Sequence, residues 1–237
     1  MAAIIPSQAF VLSFVATVVG CVFCFTLALR KANAGRAPRV PVLIQTAWMA
    51  LVALLAMTGV LGRFDAVPPP VLPVFAITTG LTIWFARSEQ GRRVSELPLS
   101  WLVGFQGFRV VVELLLHRGY VEGFVPRELT YSGHNFDMLS GVLGIALGIW
   151  ASKATPPRWV LLGYNVLGLA LLGIVVTTAV LAMPTRFQVL HTDPPNVWVA
   201  EVPFVWLPTV LVQAALLGHL LLFRRLATRG PAVLPAS

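Results

Sequence analysis

Apolar residues run through this chain in blocks too long for an amphipathic stripe, at about residues 9 to 29, 41 to 62, 70 to 86, 99 to 117, 137 to 152, 158 to 183 and 198 to 223. A helix needs roughly 20 consecutive, mainly apolar residues to cross hydrocarbon. The pattern therefore predicts an all-α polytopic membrane protein, a bundle of seven transmembrane helices joined by short loops. Residues 1–229 are read as one transmembrane domain. The tail 230–237, uncharged and bounded by Pro231 and Pro235, is expected to be disordered. No Lys or Arg precedes the first block and no small-residue cleavage site follows it, so it is read as helix one and not as a signal peptide.

Composition agrees with the blocks. Hydrophobic residues make up 57% of the 237 and charged residues 11%, with a mean hydropathy of +0.84, too apolar for a water-soluble domain of this length. The formal charge of +8 changes the picture only through its placement. Arg30, Lys31, Arg36 and Arg39, then Arg87, Arg92 and Arg93, then Lys153 and Arg158, and finally Arg224, Arg225 and Arg229 fall in alternate loops. Against these twelve stand Arg63, Arg118, Arg127 and Arg186, with Arg109 inside a block. The positive-inside rule then places the N-terminus outside and the C-terminus in the cytoplasm. The basic loops read as topology signals and lipid-headgroup contacts. No soluble surface remains on which to build a nucleic-acid site.

Against this background the intramembrane polar residues stand out. Gln106, Arg109, Glu113 and His117 recur at i, i+3, i+7 and i+11, one face of helix four. At about 1.5 Å per residue, Arg109 is expected near mid-membrane and Glu113 about 6 Å above it. Ionisable groups in a membrane face a bundle interior or a water-filled cavity and are functional-site candidates. Glu122, Glu128, His134, Asn135, Asp137, His191, Asp193, Trp198 and Glu201 are expected on the same outer side. Asp137, Gly141, Gly144 and Gly148 add a small-residue ridge to helix five, which lets another helix approach closely.

Each feature also has a plainer role. Arg109 and Glu113 can form an i, i+4 ion pair, although Arg before Glu is the weaker order, which leaves Asp137 or Glu201 as cross-helix partners for Arg109. Asp137 suits the first turn of its helix, with Asn135 or Ser132 as the cap. Cys21 and Cys24 form a C-x-x-C pair, which inside an apolar helix reads as packing more readily than as redox chemistry. His219 is expected in the inner half of helix seven, away from the outer cluster, as a bundle histidine or part of a proton path. Neither Lys31 nor Lys153 lies mid-helix, which excludes a retinal Schiff base. The loop from Arg118 to Asn135 is expected as an ordered cap or re-entrant turn. A V-P-x3-L-P echo opens helices three (from Val67) and seven (from Val202), and Pro41 and Pro157 start helices two and six. Taken as a repeat, the echo gives a 3+1+3 arrangement of parallel units of the kind found in transporters.

Phe108-Arg109-x3-Glu113-x3-His117, followed by Gly133-His134-Asn135-Phe136-Asp137 and a last helix with Leu207-Pro208 and His219, resembles a group of uncharacterised bacterial multi-pass membrane proteins that share an FRxxxExxxH helix and a GxNFD segment. The resemblance implies only that Arg109, Glu113, His117, Asn135 and Asp137 belong together. It carries no activity with it. The expected location is a bacterial inner (cytoplasmic) membrane. A likeness to seven-helix zinc amidohydrolases is weaker, because those carry an H-x-x-x-H pair on a late helix where this chain has His219 alone.

Three function classes follow. The first is an outward-facing intramembrane pocket that binds or transports a small ligand, an anion being one candidate, with proton coupling, using Arg109, Glu113, His117, Asn135, Asp137 and Glu201. The second is a structural or assembly subunit whose polar stripe meets a partner membrane protein. The third is a metal-dependent lipid hydrolase of the outer leaflet, with ligands drawn from His117, His134, His191, Asp137 and Glu201. Expected partners are membrane lipids, an unidentified small ligand and partner subunits, with no nucleic acid. No cofactor is indicated by the sequence.

Overall fold

In the computed structural model, residues 6–36 and 38–228 are described, and among them there is helix and no strand. The expected disordered tail 230–237 lies outside the described residues. Helix α1 runs from Gln8 to Ala32, α2 from Arg39 to Met57, α3 from Val71 to Arg87, α4 from Glu89 to Ser95 and α5 from Leu99 to Gly104. Helix α6 spans Phe108–Val121, α7 Asp137–Lys153, α8 Arg158–Leu181 and α9 Val212–Thr228. Five stretches are long and apolar enough to cross a membrane: Gln8–Ala32, Arg39–Met57, Leu99–Val121, Arg158–Leu181 and Leu207–Thr228. They correspond to five of the seven apolar blocks. The other two are α3 and α7, each 17 residues and so about 25 Å long.

Local chemistry sets the boundaries. Ser7 caps α1 by accepting from the Phe10 amide at 3.2 Å. Pro38, Pro98 and Pro157 stand immediately before α2, α5 and α8, where no helical N–H is needed. Gly59 ends α2 with φ +75, so the helix stops at Met57 and not at 62 as the apolar pattern predicts. Between α3 and α4 the chain bends by 70°. Ser88 caps α4 by accepting from the Gly91 amide, and Gly91 lies so close to the α3 end that a Cβ would meet the Ala86 carbonyl oxygen at 2.7 Å.

The last span departs most from the pattern. Residues 198–206 are a short turn and loop, and regular helix begins at Leu207 with a π turn through Leu211. Pro203 and Pro208 lack the N–H that a continuous helix would need. Glu201 is thereby taken off the helix, and His219 moves from the inner half to near the middle of the Leu207–Thr228 span.

The small-residue ridge of α7 admits the close approach of another helix as expected, and the helices it meets are α5 and α6. A Cβ on Gly148 would stand 2.7 Å from the Gly104 Cα, and one on Gly141 2.9 Å from the Val110 amide nitrogen. The loop 122–135 is ordered and packed. Phe124 sits edge-on to Phe10 at 4.9 Å and against Trp198 and Phe204, closing that end with aromatic rings. Helix α2 is peripheral, with only Val52 and Ala56 buried. Large apolar side chains such as Leu12, Met57, Trp84 and Trp159 cover the outward faces, as suits a molecule whose surroundings are lipid.

Candidate functional site

The tight turn Phe105–Gly107 interrupts the Leu99–Val121 span just before Arg109. Arg109 is 2% exposed, and its guanidinium has five N–H donors and no acceptor. All five are used. Nε donates to Asp137 Oδ2 at 2.6 Å, and Nη2 to Asp137 Oδ1 and to the Gly168 carbonyl at 3.2 Å. Nη1 donates to Ser140 Oγ at 2.8 Å and to His219 Nε2 at 2.8 Å. This is a bidentate pair on α7, extended by one contact to α8 and one to α9.

The donor inventory fixes the histidine. Arginine can only donate, so His219 Nε2 must present its lone pair and the ring proton sits on Nδ1. That nitrogen donates to Asn165 Oδ1 at 2.7 Å, and Asn165 Nδ2 returns a bond to the His219 carbonyl at 3.1 Å. Asn165, Ser140 and His219 are all fully buried. The backbone of α8 approaches so closely at Gly168 that a Cβ there would run into the His219 ring and stand 2.8 Å from Ser140 Oγ.

Glu113, one turn along α6, is held differently. Asn135 Nδ2 donates to Glu113 Oε1 and to the Leu129 carbonyl at 2.9 Å, while Asn135 Oδ1 accepts from the Asp137 amide at 3.0 Å. Asn135, rather than Ser132, thus supplies the side-chain acceptor at the start of α7. Glu113 is 2% exposed, and its second oxygen, Oε2, has no hydrogen-bond partner. The residue lines a cavity of about 90 Å³ walled mainly by apolar side chains, including Phe75, Leu116, Val176 and Leu211. The volume admits a few water molecules.

Of the residues singled out from sequence, Arg109, Asp137, Asn135 and Glu113 come together. His117 is half-buried one turn further along, its Nδ1 3.3 Å from Ser132 Oγ and its ring stacked 4.4 Å from Tyr131. Glu201, His134 and His191 are exposed, and none of them reaches the cluster through a described hydrogen bond. Among the described residues no group of three or more His, Cys, Asp or Glu is placed to hold a metal ion. Ser140, Asn165, Gly168 and His219 are partners that the sequence reading missed. Ser140 lies three residues after Asp137, on the same helical face, which is the one signal that pointed to it.

Outside the span, Glu122 ties the start of α1 to this end of the bundle. Its oxygens accept from the Ser7 amide at 2.8 Å, the Ser7 hydroxyl at 2.6 Å and Arg118 Nε at 2.7 Å. Partial burial works against ionisation, but the bonds from Ser7 and Arg118 outweigh it and hold the carboxyl below its usual range.

A family model, Domain of unknown function (DUF8737), matches residues 69–227, which include all of the Arg109 network and Glu113. No curated protein and no solved structure matches the chain.

Proposed function

This chain belongs to the DUF8737 family, and we propose that it is a proton-coupled binding or transport protein for a small ligand, in which Glu113 is the group that takes up and releases the proton. The carrying observation is the buried Glu113 Oε2, unpartnered on a residue that lines a cavity. An unsatisfied buried carboxylate oxygen is costly. A protonated carboxyl, or a donor brought by water or ligand, removes that cost. Arg109 has no N–H left for an anion, so it serves as the fixed frame against which Glu113 works.

In this reading the chain crosses a bacterial inner membrane seven times, with the bent α3–α4 pair as one crossing and the short α7 as another. The orientation is N-out and C-in. Support comes from the ends that share a face. Arg93 Nη1 reaches Asn33 at the end of α1 at 2.9 Å, and Arg224 Nη1 reaches the Ala86 and Ser88 carbonyls at 2.6 and 2.8 Å, so three of the basic loops gather at one end. Ser7 and Glu122 meet at the other.

Infrared difference spectra of the purified protein in lipid, with pH stepped between about 5 and about 9, test the central role. The reading expects a titrating carboxylic-acid C=O band that Glu113→Gln removes and Glu201→Gln leaves. A metabolite library screened by thermal shift at two pH values tests the coupling, with hits whose pH dependence Glu113→Gln abolishes. A band set and a pH dependence that both survive Glu113→Gln would overturn the assignment.

A further inference from the structure

A cavity larger than the one beside Glu113 lies elsewhere in the described molecule. A crevice of about 750 Å³ opens where α2 stands off the bundle, between it and α1, α3, α4 and α9. That volume falls within the range of about 300–1,000 Å³ typical of ligand sites. Its walls are apolar over most of their area, with Phe25, Ile44, Leu81 and Leu217 among them. One polar group on the wall is unfulfilled. Gln213 is 5% exposed, its Nε2 donates to Thr79 Oγ1 at 3.2 Å and the Pro208 carbonyl at 3.1 Å, and its Oε1 has no partner.

Basic residues flank the lining. Lys31 Nζ stands 4.0 Å over the ring of Trp101, which lines the crevice, and the exposed Arg39 and Arg87 are chain neighbours of the lining residues Pro38, Val40 and Ser88. The one acid on the lining, Glu89, is already held by Arg92 at 2.6 Å and Arg93 at 3.2 Å. An apolar slot with a cationic rim fits one class of occupant in a membrane, a lipid whose chains enter the slot while its phosphate meets the rim.

We propose that the α2 crevice is a specific binding site for an anionic phospholipid, with the acyl region against α9 and the headgroup at Lys31, Arg39 and Arg87. The site is independent of the Glu113 reading, since no Glu113 contact contributes to it.

The test uses the full chain in vesicles of phosphatidylglycerol or of phosphatidylcholine, each doped with the same lipid carrying a photoactivatable acyl chain, and maps adducts by peptide mass spectrometry. The expected result is adducts concentrated on Gln45, Gln213 and Leu217 in phosphatidylglycerol, with few on the open faces around Trp159 and Val166. Lys31→Glu should cut the phosphatidylglycerol adducts about fivefold or more while sparing phosphatidylcholine labelling. Ala214→Phe, which narrows the slot, should remove crevice adducts for both lipids, and Glu113→Gln should change neither. Adducts spread evenly over the lipid-facing surface overturn the site. So do adducts confined to faces outside the crevice, which would mark the slot as the seat of another helix. Equal crevice labelling by both lipids overturns the anionic occupant.

Discussion

Arg109 and Glu113 sit one turn apart on the same helix, are equally buried, and have opposite hydrogen-bonding fates. The arginine gives all five of its N–H groups to Asp137, Ser140, Gly168 and His219. The glutamate receives one described hydrogen bond, from Asn135, keeps an oxygen without a partner, and is itself part of a cavity wall. A saturated charge has nothing to gain from a ligand and much to lose from the removal of any partner. A half-satisfied one holds little of the fold together and has bonding capacity to spare. The pair therefore divides into frame and working group.

The frame side breaks most easily at Asp137. Asp137→Asn leaves a guanidinium that cannot deprotonate, buried and without its counter-charge, and should cost about 3–5 kcal/mol in mixed-micelle unfolding. Arg109→Leu combined with Asp137→Leu should recover part of that loss. An Asp137→Asn protein as stable as the parent would mean that Arg109 does not depend on this carboxylate.

A smaller effect is expected where the frame is tightest. Gly168→Ala pushes a methyl into the His219 ring and Ser140 Oγ and should cost about 1–3 kcal/mol by the same assay. Gly163 and Gly173 lie on the same helix with nothing within 4 Å of a Cβ. Their alanine variants should be neutral or stabilising by up to about 1 kcal/mol. Equal costs at all three positions would reduce the Gly168 effect to helix propensity.

The Glu122 tie should contribute least on the frame side, about 0.5–1 kcal/mol for a partly exposed ion pair. The Glu122 carboxyl is held below its usual range, so its contribution is present above the unfolded value of about 4.3 and is lost as pH falls through the lowered folded value. The stability gap between the parent and Glu122→Gln should be open near neutral pH and closed in acid. A gap that widens on acidification would reverse the sign of the shift.

The apolar blocks made the class, five of the spans and the α7 ridge legible, because burial in lipid leaves a long one-dimensional signature and the Asp137-Gly141-Gly144-Gly148 spacing a helical one. The grouping of Arg109, Glu113, Asn135 and Asp137 was legible too, from the helical phase of Arg109 and Glu113 and from the resemblance carried by the FRxxxExxxH helix and the GxNFD segment. His219 was not, for a physical reason. Its height was counted along a helix assumed to begin at 198, whereas Pro203 and Pro208 delay the regular span to Leu207 and set His219 level with Arg109. Asn165 and Gly168 escaped because their role depends on how closely α8 approaches, which no pattern within α8 records. Glu201 looked like a partner only while it was counted on that same helix.

The central claim, that Arg109 is frame and Glu113 is not, is tested most directly by the unfolding free energy of Glu113→Gln. Glutamine keeps an acceptor for Asn135 Nδ2 at the Oε1 position and removes the charge. The frame-and-worker account predicts a change within about 0.5 kcal/mol of the parent at neutral pH, beside the large loss for Asp137→Asn. A loss in Glu113→Gln that matches Asp137→Asn would contradict it, by showing that the glutamate charge is as structural as the arginine's.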